Sequence, residues 1–244
     1  MEKVINSSEK AVSEKATFIS KTYGWMGLAL LISALSAFVT ARSTFFTDTG
    51  TLTAFGTFLY VNKGFLIFAI AELLLVWFLS ASIRKISLAM TTFGFIAYSL
   101  LNGITLSAIF LVYEIESIAI AFVGTSVMFF AMAFYGLTTK KNLATMGKYL
   151  MMALIGLIVV SLIEGLMYFV FKLNTSILDF LISIATVIIF TGLTAYDSQK
   201  IMKVAEHSNG NEDYKKVSIM AALSLYLDFI NLFLALLRIF GRKK

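Results

Sequence analysis

Apolar residues gather into seven runs along the chain, near 23–41, 64–83, 87–112, 115–137, 149–171, 177–199 and 218–240. Each approximates the roughly 20 residues that an α-helix needs to cross the hydrocarbon of a bilayer. The polar connections are short, which predicts a single helical bundle with no soluble domain attached. Only Tyr113, Glu114, Ile115 and Glu116 part the third and fourth runs, so these form a tight helical hairpin. Before the first run, residues 1–22 are polar and charged and carry no cleavable signal, so a retained N-terminal tail is expected. The expected organisation is therefore a polar cytoplasmic tail (1–22), a seven-helix transmembrane domain (23–241) and a basic C-terminal tail (242–244).

Composition agrees with this pattern. Hydrophobic residues make up 59% of the chain and charged residues only 14%, against roughly 25% charged in ordinary soluble domains. This is an all-α, multi-pass membrane protein whose first partner is the lipid bilayer. With no proline in the chain, a broken helix would have to rest on Gly or Ser. The absence of cysteine excludes disulfides and thiolate sites.

The formal charge of +6 is accounted for by loops beside an anionic leaflet, and no nucleic-acid partner is expected. Lys and Arg in the N-terminal tail, at 84–85, at 140–148 and at 200–216 fall on one side if every run crosses, and that side should be cytoplasmic. The opposite connections carry fewer bases, Arg42, Lys63 and Lys172. Seven crossings leave Arg242, Lys243 and Lys244 outside, against the rule. Two readings stand, a translocated basic tail or a re-entrant last segment, and full crossing is preferred.

Candidate chemistry lies in acids within the apolar runs, because a carboxylate at the bilayer centre costs about 2.5–3.5 kcal/mol or more unless paired, protonated or hydrated. Asp197 (TAYDSQKI) and Asp228 (LYLDFINL) stand in the last two runs, Glu72 in the second and Glu164 in the fifth. The latter two are candidates for an ion pathway, or else acids bonded to a neighbouring helix. Ser224, Asp228 and Asn231 recur at i, i+4 and i+7, one polar stripe expected to face the sixth helix or a water pocket while Phe229, Phe233 and Leu236 pack elsewhere. Two carboxyl groups within hydrogen-bonding distance share one proton over some pH window and titrate as a unit. When that proton leaves, repulsion separates them unless a cation or an arginine enters, and calcium favours such oxygens. Asp197 stands about one turn from Lys200, whereas Asp228 lies roughly 18 Å along its helix from Lys216, so their depths agree only if the last helix begins inside the cytoplasm, about a turn before Ala221.

The segments FTGLTAYDSQKI (190–201) and ALSLYLDFINLFLALLRIFG (222–241) resemble the closing signature of the Bax inhibitor-1 family, and TYGWMGLALLISALSAF (22–38), LNGITLSAIF (101–110) and FYGLTTKKNLATMGKYL (134–150) extend the likeness over most of the chain. The bacterial branch is the nearer one. This resemblance implies a seven-helix bundle with the last helix central, and a pH-sensitive calcium leak through the membrane. It also implies a proton sensor formed by Asp197 and Asp228, a latch from Arg84 onto Asp197, and an acid in the second helix that Glu72 matches. Calcium is then the permeant or transiently bound ion, with Asp197 and Asp228 as its candidate ligands, and no cofactor is expected. Some bacterial relatives are held to modulate a membrane-bound protease, so a regulatory role is the alternative, with a proton-coupled transporter third.

Enzymatic classes lack their parts. The one histidine, His207, sits in a polar loop away from any membrane serine, no lysine lies between Lys216 and Lys243 to hold a retinal, and zinc-protease and P-loop patterns are missing.

Overall fold

The computed structural model describes residues 2–44, 51–62, 64–83, 85–208 and 210–244. Seven long helices follow one another: α1 (Glu2–Thr44), α2 (Gly64–Ser82), α3 (Leu88–Leu106), α4 (Ile115–Thr138), α5 (Ala144–Phe169), α6 (Ser176–Ala205) and α7 (Glu212–Phe240). All seven are long and apolar enough to cross a membrane. The fold is thus the expected all-α membrane bundle, and no strand occurs among the described residues beyond one isolated bridge.

Helix ends run past the apolar runs. α5 starts at Ala144 and takes in Lys148, α6 continues through Lys200 and Lys203, and α7 starts at Glu212 and takes in Lys215 and Lys216. Lysine is a good helix former whose stem reaches back along apolar surface, so hydropathy marks the hydrocarbon-buried length and not the helix terminus. The same holds for the stretch expected as a tail, since α1 is helical from Glu2. Three of its later residues are docked: Lys15 pairs with Glu206 at 3.3 Å, Phe18 meets the Tyr214 ring edge-on at 6.4 Å, and the buried hydroxyls of Thr22 and Ser218 lie 2.9 Å apart.

Two compact units can be distinguished, Met1–Val112 with Ala205–Tyr226 and Lys244, and Tyr113–Val204 with Leu227–Lys243. In the first, Ser87 caps α3 by accepting the Met90 N–H at 3.2 Å. Gly103 sits where any side chain would strike the Ser33 carbonyl and Ser36 of α1, and such small-residue contacts let membrane helices approach closely. Just beyond, α3 breaks at Ser107, whose hydroxyl donates to the Ile104 carbonyl and lies 2.7 Å from the Tyr60 hydroxyl; a single helical turn, Ile109–Val112, follows. The break rests on serine, as the lack of proline required.

α7 belongs to both units, and it is the buried helix of the fold. Of its most apolar 18-residue window 67% is buried, against at most 33% in any other helix and none in α5. Its beginning and end bear on the open question of topology. Near its start, Glu212 accepts the Leu88 N–H at 3.2 Å and Lys216 reaches the Ile86 carbonyl at 3.4 Å; at the far end, the Lys244 N–H donates to the Val112 carbonyl at 3.0 Å. α3 and α7 therefore start together and finish together, and a crossing by one is a crossing by both. In the second unit the same tail pairs Tyr113 with Lys243 and accepts the Glu114 N–H on the Arg242 carbonyl at 3.1 Å. A reporter fused after Lys244 should read the same side as one fused after Glu116 and the opposite side from one after Lys141. Agreement between the Lys244 and Lys141 reporters would restore the re-entrant reading.

Candidate functional site

The site lies where α6 and α7 run antiparallel in the second unit. On α6, Ile189, Leu193 and Asp197 recur every fourth residue, and on α7 so do Asp228, Leu232 and Leu236, so each set occupies one face. Ile189, Phe190, Leu193, Leu232 and Leu236 form one buried apolar cluster. Register then sets Asp197 against Asp228 at the end of that cluster, and the Asp197 charge acts directly on Asp228. Leu236, expected to pack elsewhere, instead shares Asp228's face, because four-residue spacing carries both to the same side of the helix.

Asp228 is 5% exposed, and its Oδ2 is one of two buried side-chain oxygens without a hydrogen-bond partner among the described residues; Thr191 Oγ1 is the other. Asp197 is half-buried. α7 begins at Glu212, about two and a half turns before Ala221, and α6 continues about two turns past Asp197 to Ala205.

Close packing holds both carboxylates in place. Phe229, beside Asp228, stacks edge-on with Phe122 and Phe129 of α4 at 5.4 and 5.5 Å, and Phe233 meets Phe122 at 6.2 Å, so these two rings do pack away from α6. α4 approaches α6 so closely at Gly136 that a Cβ there would strike the Ala195 carbonyl and the Ser198 side chain. The buried Gln199 side chain donates to the Lys141 carbonyl at 2.7 Å and accepts the Leu143 N–H at 2.9 Å, which ties the α4–α5 connection to α6 next to Asp197. Nothing in the sequence pattern singled out Gln199, since glutamine after an interfacial Asp reads as a solvated helix end.

The other expected site residues are dispersed. The Asn231 amide donates to the Leu227 carbonyl of its own helix at 2.8 Å, and Ser224 is half-buried. Among the described residues Glu164 has no bond to a neighbouring helix. It lines an open cavity of about 660 Å³ with Lys172, Asp179 and Lys243, near the 3.5 Å ion pair between Asp179 and Arg238. Arg84 lies outside the described residues.

Glu72 is engaged in the first unit. Its carboxylate accepts from Asn102 Nδ2 at 2.9 Å and from the Thr105 hydroxyl at 2.8 Å. Asn102 Oδ1 accepts in turn from the Tyr226 hydroxyl of α7 at 2.7 Å. These partners escaped the sequence reading, although Asn102 and Thr105 at i, i+3 in an apolar run were the available signal.

As to a bound cation, no group of three or more His, Cys, Asp or Glu side chains gathers among the described residues. Calcium takes 6–8 oxygens, so the aspartate pair alone offers at most part of a shell.

Comparison with known proteins shows the family. The inner membrane protein YbhL of Escherichia coli is 45% identical over 231 residues, covering 93% of this chain and 92% of that protein. An uncharacterized protein of Borreliella burgdorferi is 39% identical over 98% of each chain, and the uncharacterized protein YrjE of Lactococcus lactis is 40% identical over 92% of this chain and 90% of its own. The family profile described as "Inhibitor of apoptosis-promoting Bax1" matches residues 15–244, and with that coverage the chain belongs to the Bax inhibitor-1 family of integral membrane proteins.

Proposed function

We propose that this protein is a pH-gated calcium leak of the bacterial plasma membrane, with its N-terminus in the cytoplasm and the Asp197–Asp228 pair as its proton sensor. The observation that carries this reading is the buried, unpartnered Oδ2 of Asp228 set in register with a second carboxylate. A buried oxygen with no protein partner costs about 1–3 kcal/mol, a cost that a shared proton or an arriving cation relieves. At low pH the pair holds one proton and α6 and α7 stay together. As pH rises the proton leaves, the carboxylates repel, and the gap becomes attractive to a divalent cation. The reaction is transport, with no catalytic residue and no cofactor.

Calcium flux into liposomes holding the purified protein, measured across pH, tests the reading. Flux that rises with pH supports it. Absence of flux at every pH, with retained binding to a membrane-bound protease, favours the regulatory role instead.

The latch remains an expectation from resemblance, resting on Arg84 as the base beyond α2. Arg84→Ala should raise the leak about 5- to 150-fold at the pH where the wild type is shut, the range of ordinary allosteric coupling. Lysine at that position should restore closure only in part, because it lacks the planar fork that matches a carboxylate. An unchanged leak would leave Arg84 as a topology charge.

A further inference from the structure

The hydrogen bonds around Glu72 form a buried array that is short of hydrogens. Six contacts of 2.6–2.9 Å join Glu72 Oε1 to the Thr105 hydroxyl, that hydroxyl to the Asn102 carbonyl, Glu72 Oε2 to the Asn102 amide, that amide to the Tyr226 hydroxyl, Tyr226 to the Ser33 hydroxyl, and Ser33 to the Ser99 carbonyl. With Glu72 ionised, one hydrogen comes from each of the three hydroxyls and one from Asn102 Nδ2, four for six contacts.

The location of the deficit matters. Thr105 has one hydrogen for two acceptors, but Thr105 and Glu72 are only half-buried. The second shortfall is at the other end. Tyr226 gives its hydrogen to Asn102 Oδ1 and Ser33 gives its own to the Ser99 carbonyl, so the 2.6 Å contact between Ser33 and Tyr226 has none, although both residues are at most 1% exposed.

A proton on Glu72 Oε2 removes the buried deficit if the Asn102 amide turns over. Glu72 then donates to Asn102 Oδ1, Asn102 Nδ2 to the Tyr226 oxygen, Tyr226 to Ser33, and Ser33 to the Ser99 carbonyl. Every link of that chain holds one hydrogen, and the one shortfall left is at the half-exposed Thr105. Placing the proton on Oε1 instead leaves the fully buried contact unfilled, where an unsatisfied group costs most. Among the described residues no charged side chain pairs with Glu72; the titratable groups facing it are Tyr98 of α3 and Tyr226 of α7, whose rings meet edge-on at 5.9 Å.

We propose that Glu72 is a proton-binding site whose occupancy is read on α7, by reversal of the Asn102 amide and of the Tyr226 hydroxyl from donor toward Asn102 to donor toward Ser33. The proton that arrives on Glu72 Oε2 stays there, and no other group changes charge. This site is separate from the aspartate pair and needs no calcium flux to be detected.

Infrared difference spectra of the reconstituted protein between low and high pH provide the test, with ring-labelled tyrosine to isolate the phenol C–O stretch. The wild type should show a protonated carboxyl band and, with the same pH midpoint, a shifted phenol band. Glu72→Gln should lose the phenol change together with the carboxyl band that shares its midpoint, leaving any band of the aspartate pair; Tyr226→Phe should lose the phenol change and keep that carboxyl band, and Asp228→Asn should keep both. A phenol change that survives Glu72→Gln, or a pair of bands lost in Asp228→Asn, would overturn the proposal. So would a wild type with no pH-dependent phenol band, a result that involves no variant and no question of folding.

Discussion

Replacing Asp228 by Asn should abolish the pH dependence of calcium release from liposomes, whereas Glu164→Gln should leave it in place. Asparagine keeps the shape and a hydrogen-bonding oxygen but cannot ionise, so the buried position stays filled while the pair loses its shared proton. In the wild type, release should climb as pH rises through the pair's titration, by about 5- to 150-fold if gating follows ordinary coupling energies of 1–3 kcal/mol. In Asp228→Asn the curve should be flat, because the two facing carboxyls no longer share a proton. Glu164 borders an open cavity beside two lysines and is not set against a second helix acid in that way. Equal flattening by both substitutions would remove the pair's special standing.

Gly136→Ala should lower the apparent Tm in detergent, although alanine is the better helix former by about 1 kcal/mol. The new methyl would meet the Ala195 carbonyl, a backbone atom two residues from Asp197 that cannot rotate aside. Overpacking of this kind costs about 1–3 kcal/mol, which exceeds the propensity gain. Gly124, also on α4, is the internal control: nothing lies within 4 Å of a Cβ there, so Gly124→Ala should hold or raise the Tm. Any backbone shift at Ala195 also displaces Asp197, so Gly136→Ala should alter the pH profile of release as well as stability. A Gly136→Ala protein as stable as the wild type would show that α4 and α6 have slack at this contact.

The sequence by itself determined the number of spans, the helical class and the two aspartates, because each follows from local quantities. Twenty apolar residues are a length, and an acid inside such a run is a cost that can be read without a fold. Helix ends were misplaced by up to two turns at Ala144, Ala205 and Glu212, since hydropathy senses lipid and a lysine-bearing helix continues into water. Tertiary structure alone decided the rest. Whether Asp228 faces Asp197 depends on the register of α6 against α7, set where Leu193 and Leu232 share one buried cluster. That the chain's last residues meet the end of the α3 segment depended on pairing between Val112–Glu114 and Arg242–Lys244, positions far apart in sequence. Glu72 was visible as an acid in an apolar run. That it stands at the head of a hydrogen-deficient array reaching Tyr226 and Ser33 required the helices to be packed, because a count of hydrogens has meaning only when the acceptors are in place.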